Sequence, residues 1–184
     1  GDCQLESSTG STPLVLSFDN APVQFGPEAS ASFDLSGTAN CQGTNWPSAT
    51  TPWLALDRDG SGTIDDGAEL FGSMTQLSTG LRAKNGFLAL RELDSNRDGK
   101  ISAEDEAFGR LQLWADADGN RLSSAGETRS LASTGIVSIQ LDYVVIPRCD
   151  ERGNCERERA SFSYRDANGN VQQGSIVDVH LRHQ

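Results

Sequence analysis

The sequence predicts an α+β fold in which short helices surround Asp/Gly-rich loops and pack with short strands, followed by a C-terminal antiparallel β meander. Three observations carry that expectation. Acidic residues gather in three short segments, Phe87, Leu90 and Leu93 recur beside them at helical spacing, and the last third of the chain alternates apolar with polar residues. A length of 184 residues allows one domain. It is expected over 12–184, behind a flexible Ser/Thr/Gly-rich tail at 1–11 held only at Cys3.

Along the chain, Leu14-Val15-Leu16 and Ala31-Ser32-Phe33-Asp34-Leu35 read as short strands separated by Pro22, Gly26 and Pro27. A Gly/Thr/Pro loop with Cys41 and Trp46 follows. From Trp53 to about Gly135 helical pieces are expected between the Asp/Gly-rich loops, with Ser102 and Asp105 as a capping box and Ser124 and Glu127 at another helix start. Ile136, Ser138 and Gln140 then alternate with Val137, Ile139 and Leu141. With Ser161–Tyr164 and Ile176–Val179 they predict a meander over about 136–182, one of its turns at Asn168-Gly169.

Cys3, Cys41, Cys149 and Cys155 form an even set with no CxxC pair and no nearby His, which favours disulfides over zinc. Of the three possible pairings, Cys149 with Cys155 is preferred because turn-prone Arg152-Gly153-Asn154 lies between them, and Cys3 with Cys41 follows by exclusion. Disulfides would place the chain in an oxidising compartment; the alternative is four reduced thiols in a cytosolic chain. Asp2 disfavours lipidation of Cys3, and Gly1 reads as the start of a mature or trimmed chain. No apolar run approaches the roughly 18 residues of a membrane span.

The net charge of −11 disfavours nucleic acid and anionic membrane as partners. Segments 57–69, 94–106 and 116–127 hold thirteen acids against four bases, so they carry nine of those eleven charges. Clustering on that scale asks for cations. An EF-hand loop wraps tightly enough to present six to eight oxygens to one hard cation, from positions 1, 3, 5, 7 (a backbone carbonyl) and 12, with Gly at 6. The loop 94–105 fits throughout: Asp94, Asn96 and Asp98, the Lys100 carbonyl, then Asp105. The loop 57–69 offers Asp57, Asp59, Ser61 and the Thr63 carbonyl, but its closing carboxylate, Glu69, stands at position 13. Either the extra Gly67 returns Glu69 to the shell or Asp65 coordinates from position 9. The loop 116–127 offers Asp116, Asp118, Asn120, the Leu122 carbonyl and Glu127, with Arg121 where Gly belongs. A side chain at positive φ costs about 1–2 kcal/mol, which ranks this loop weakest and the Asp94 loop strongest. Two to three Ca²⁺ ions are expected. Ile64 and Ile101 at position 8 are expected to bridge the first two loops, because the third has Ser123 there.

Other chemistry is thin, and no catalytic residue is assigned. P-loop, dinucleotide, Gly-x-Ser-x-Gly and HExxH motifs are absent. His180 and His183 read as a solvated tail, Trp46, Trp53 and Trp114 as core, and Asp166, Asn168 and Asn170 as a hairpin turn.

The run Trp53–Asp57, Ile64–Gly72, Asn85-Gly86-Phe87, Leu93–Asn96, Leu113–Asp116, Gly126-Glu127 and Thr134-Gly135-Ile136 resembles the EF-hand-like module of bacterial RTX-type exoproteins. It is similar in particular to the self-processing module of the Frp iron-regulated family. The match covers about residues 12–142, and 147–159 reads as an insertion. The resemblance implies a secreted module whose loops fold on binding calcium, and in self-processing members an Asp-Pro bond at its start is cut by the Asp side chain. Here the matching bond is Thr12-Pro13, and the chain contains no Asp-Pro bond. The expectation is therefore a non-enzymatic calcium-binding structural module, secreted, on the cell surface or periplasmic, with other extracellular or cell-surface proteins as partners. The alternatives are a calcium-dependent self-processing protease or hydrolase, and a calcium-stabilised adhesin or glycan-binding module.

Overall fold

The computed structural model describes residues 12–26, 32–36 and 45–182, and it overturns the α+β expectation. Among the described residues the chain forms nine strands in one antiparallel sheet, with one six-residue α-helix and three 3-10 turns of three residues each. The strands are β1 (Leu14–Ser17), β2 (Trp53–Leu56), β3 (Lys100–Ser102), β4 (Leu111–Trp114), β5 (Thr128–Ser130), β6 (Ile136–Gln140), β7 (Val144–Cys149), β8 (Cys155–Arg165) and β9 (Val171–His180). Their order across the sheet is β3-β6-β8-β9-β1-β2-β4-β5, and β7 pairs with β8 beside this path. The segment 53–135, expected as helical pieces, contributes four of the strands. Its helix α1 (Gly86–Arg91) takes in Phe87 and Leu90 but stops short of Leu93. Beyond Glu127 the chain enters β5, not a helix. The tail at 1–11, the Cys3–Cys41 pairing and His183 lie outside the described residues.

The central strands are buried on both faces, which is why their apolar residues run on instead of alternating with polar ones. Leu14, Leu16, Leu54, Leu56, Leu111, Leu113 and Ile176 face one core, completed by Phe71, Phe87, Leu90, Ile101, Ile139 and Phe162. Val15, Trp53, Ala55, Trp114, Val177 and Val179 face the other, completed by Phe33, Leu35, Trp46, Ile64 and Leu70. The period of two therefore survives within each strand, although both kinds of position are apolar. Asn85 caps α1 by accepting the Leu88 N–H, and the helix packs on the first core through Phe87 and Leu90.

This topology places the acidic loops. Loop one (57–69) leaves the end of β2 and loop three (116–127) joins β4 to β5, while β2 and β4 pair in register from Trp53–Trp114 to Leu56–Leu111. Because the pair is antiparallel the two loops leave it at opposite ends, and they meet where loop one folds back so that Ile64 N–H reaches Ser123 Oγ. Loop two (94–105) follows α1 and runs through β3 at the far edge of the sheet, where Ile101 pairs with Ile139.

In the last third, β6, β8 and β9 are consecutive neighbours. The Cys149–Cys155 disulfide closes the hairpin of β7 and β8. In its turn Arg152 donates to the carbonyl oxygens of Phe25 (3.1 Å) and Gly26 (2.9 Å), docking the hairpin on the preceding loop. The turn between β8 and β9 is held by Asp166, whose Oδ1 accepts from Asn168 and Asn170 N–H. His180 is no solvated tail: it is half-buried on β9, with Nε2 3.1 Å from Glu158 Oε2. No helix among the described residues is long and apolar enough to cross a membrane.

Gly174 lies where β9 passes beneath Phe162 and beside β1, and a Cβ there would meet Ser17 O and Phe162 Cζ, each at 2.5 Å. Gly174→Ala is accordingly expected to lower the unfolding free energy by about 1–3 kcal/mol. Gly109→Ala, with nothing within 4 Å of its Cβ, serves as the unaffected control in the same urea titration. Equal midpoints for the two variants would contradict the close packing at β9.

Candidate metal centre

The three loops share one architecture despite their different sequences. The position-1 carboxylate accepts the position-6 N–H in each: Gly62 to Asp57 (2.9 Å), Gly99 to Asp94 (3.0 Å) and Arg121 to Asp116 (2.9 Å). Position 3 accepts from position 5, as Ser61 N–H to Asp59 (2.8 Å), Asp98 to Asn96 (3.2 Å) and Asn120 to Asp118 (3.1 Å). The tight wrapping of the backbone around these acceptors goes with two residues of positive φ, at positions 4 and 6 every time: Gly60 and Gly62, Arg97 and Gly99, Gly119 and Arg121.

The closing carboxylate fixes the loop's length. Glu69 accepts from Arg58 N–H (3.1 Å) and Asp65 N–H (2.7 Å). Asp105 accepts from Ser95 (2.8 Å) and Ser102 (2.9 Å), and Glu127 from Ala117 (3.0 Å) and Ser124 (3.3 Å). In all three the acceptor joins positions 2 and 9, so Glu69 at position 13 does what Asp105 and Glu127 do at position 12. The residues from Asp66 form a 3-10 turn capped by the Asp66 side chain, and this turn absorbs the extra residue.

Each loop brings three carboxylates together, with one oxygen from each lying within 4.8 Å of the others: Asp57, Asp59 and Glu69; Asp94, Asp98 and Asp105; Asp116, Asp118 and Glu127. Asp65 stands outside its group, its carboxylate accepting from the Ser61 and Thr63 hydroxyls. Asn96 donates to Asp98 and Glu104, Asn120 donates to Asp118, and the Lys100 ammonium lies 3.9 Å from Asp98. Ser61, Thr63 and Leu122 hold positions 5, 7 and 7 of their loops.

Burial pushes the Glu69 carboxyl above its ordinary range against the pull of the Asp65 and Arg58 N–H groups, and the charges of Asp59 and Asp66 add to the rise. Asp116 is raised first by burial, opposed by the Arg121 N–H and reinforced by Asp118 and Glu127. Its Oδ1 is buried and accepts no N–H. At exposed Asp59 the Ser61 N–H lowers the value.

The loop partnership differs from the expected Ile64–Ile101 bridge. Ile64 N–H donates 2.6 Å to Ser123 Oγ, so positions 8 of loops one and three meet. Ile101 instead pairs with Ile139, in the opposite core. Strand order decides this, because β2 and β4 are neighbours and β3 is remote. Arg121 also differs from a bare misfit. Its φ is 59°, as the loop demands, but its guanidinium is buried 4.8 Å from the Trp46 ring centre. That cation–π contact offsets part of the backbone cost.

Sequence reasoning missed a fourth group, Glu158, Asp178 and His180, whose ligand-capable atoms also lie within 4.8 Å of one another. The available signal was Asp178, a lone charge within the apolar run Ile176–Val179.

A family model described as SPM domain matches residues 14–182. The chain is 38% identical over 157 residues to the Iron-regulated protein FrpA of Neisseria meningitidis serogroup C, an alignment covering 84% of this chain. The same alignment covers 14% of that relative, so the chain spans about one seventh of its length.

Glu69→Ala removes the acceptor shared by Arg58 and Asp65 and is expected to cost about 1–3 kcal/mol of unfolding free energy. Urea unfolding in chelator measures this without any ion. A variant as stable as the parent would show that position 13 does not close the loop.

Proposed function

The chain belongs to the SPM domain family and is a Frp-like module, and from that premise we propose that it is a calcium-binding structural module of an exported protein, with folding coupled to the ion. The observation that carries this reading is the threefold recurrence of three carboxylates within 4.8 Å in loops of one hydrogen-bonding pattern. Oxygen donors of this kind suit a hard cation. The Asp116 carboxylate, buried beside Asp118 and Glu127 with an Oδ1 that accepts no N–H, offers an oxygen to such an ion. Asp57, Asp59 and Glu69 would hold one ion, Asp94, Asp98 and Asp105 a second, and Asp116, Asp118 and Glu127 a third, with the Thr63, Lys100 and Leu122 carbonyls completing each set. Three ions would take the net charge from −11 to −5. Export is supported by the Cys149–Cys155 disulfide, a bond that persists in oxidising compartments. Affinities in the weak extracellular range of about 10⁻⁴ to 10⁻³ M fit that setting.

The same reading makes the module non-enzymatic. At the place where the resemblance puts a scissile Asp-Pro bond stands Thr12-Pro13, whose Thr12 is buried and accepts the Ser73 N–H on its hydroxyl (3.0 Å). The Pro13 carbonyl accepts from Val179 N–H at 3.0 Å. An Asp carboxylate can close a five-membered ring on its own carbonyl carbon, whereas the Thr hydroxyl would close a four-membered one.

Calorimetry is expected to count two to three calcium ions per chain. Each site occupied about a hundredfold above its Kd contributes about 2.7 kcal/mol, or roughly 8 °C of melting temperature. A melting curve indifferent to chelator would sink the coupling. The Ile64–Ser123 contact adds that Asp116→Ala weakens loops three and one together, while Asp94→Ala removes loop two alone. Intact mass after days in calcium is expected to stay that of the whole chain, and a new cleavage would return the module to the enzymes.

A further inference from the structure

The fourth cluster differs in kind from the loops. It is built on paired strands, and it mixes nitrogen with oxygen. In β8 two residues, Arg157 and Glu158, stand between the pairs Glu156–Val179 and Arg159–Val177, while β9 has only Asp178 between them. This bulge turns Arg157 to solvent and Glu158 inward. Asp178 is fully buried, at 0% exposure. Its Oδ2 accepts Gly86 N–H at 2.7 Å and the Thr12 hydroxyl interacts with the same carboxylate, while Oδ1 makes no hydrogen bond of close geometry. A buried polar atom short of partners is costly. His180 Nε2 lies 3.1 Å from Glu158 Oε2, and the imidazole is 24% exposed, which leaves a route from solvent.

We propose that Glu158, Asp178 and His180 hold a borderline divalent cation of the zinc class, at a site separate from the three loops. One nitrogen and two carboxylates select such ions over calcium, which takes oxygen. The 3.1 Å between His180 and Glu158 is close to the roughly 3.3 Å separating two ligands on a tetrahedral ion at about 2.0 Å. Burial lowers the His180 pKa, with Glu158 opposing, which favours the neutral ring that a metal ligand needs. Two carboxylates, a neutral imidazole and a divalent ion sum to zero charge, the arrangement a buried site tolerates best. The ion would also give the buried Asp178 carboxylate a further partner. Three protein ligands leave one position for water.

The test is Zn²⁺ titrated by calorimetry into the full chain in excess calcium, which keeps the loops occupied. One Zn²⁺ per chain is expected, with affinity falling at least about 100-fold in His180→Gln and in Asp178→Asn. The first variant alters a half-exposed side chain, and the second retains an acceptor for Gly86. Zn²⁺ is expected to raise the melting temperature of the parent but not of His180→Gln, and Co²⁺ in its place to give the visible spectrum of a four-coordinate ion. His183→Gln keeps parental affinity. No zinc uptake by the parent, uptake unchanged by the His180 and Asp178 substitutions, or loss confined to His183→Gln would each overturn the site.

Discussion

Like charges held within 4.8 Å of one another, three at a time in three loops, are the constraint on which the rest of this structure depends. Charges of one sign this close oppose folding, most strongly at the buried members Glu69, Asp105 and Asp116. The backbone answers with N–H groups aimed at the carboxylates, with two left-handed residues per loop and a fixed distance between positions 2 and 9. The sheet supplies the rest. Its central strands, buried on both faces, anchor the ends of loops one and three. A divalent ion in each proposed site would turn the same repulsion into attraction, so the loops are poised to gain order from ligation.

The resulting molecule is divided between two ends of one sheet. Loops one and three leave adjacent strands, meet at Ile64 and Ser123, and stand over the core of Trp46, Trp53 and Trp114. Loop two hangs from the far edge and is rooted by Ile101 in the other core. Between them lies β9, which carries the carboxylate of Asp178 to the start of α1.

Much of the loop geometry was legible in the sequence, because the spacing of the carboxylates is a local property. The groups Asp94, Asp98 and Asp105 and Asp116, Asp118 and Glu127 come together as counted along the chain, and the displaced Glu69 could be suspected from one extra Gly. The fold class was not legible. Strands of three and four residues are too short to display a period, and burial on both faces removes the polar half of the alternation in Leu14–Leu16 and Trp53–Leu56. The spacing of Phe87, Leu90 and Leu93 describes one helical turn and cannot say that the helix then stops. Loop pairing failed for a related reason. The β-branched character of Ile64 and Ile101 states that each prefers a strand, but strand order chooses the partner, and the hydroxyl of Ser123 serves where an apolar side chain was sought. The cluster of Glu158, Asp178 and His180 depends on a bulge in β8, which no residue type announces.

The packing of the aromatic residues has an optical consequence. All three Trp rings lie in one core, Trp46 touching Trp53 and Trp114 at centroid distances of 5.1 and 5.6 Å. Trp46 also carries the Arg121 guanidinium of loop three on its face, and Ile64 of loop one belongs to the same cluster. The core beneath loop two contains no Trp, and Tyr143 and Tyr164 pack against it instead. Near-ultraviolet ellipticity and indole emission therefore report the state of loops one and three, while loop two can change almost unseen except through the weaker tyrosine bands. A single chain thus carries two spectrally distinct gauges, one for each end of its sheet.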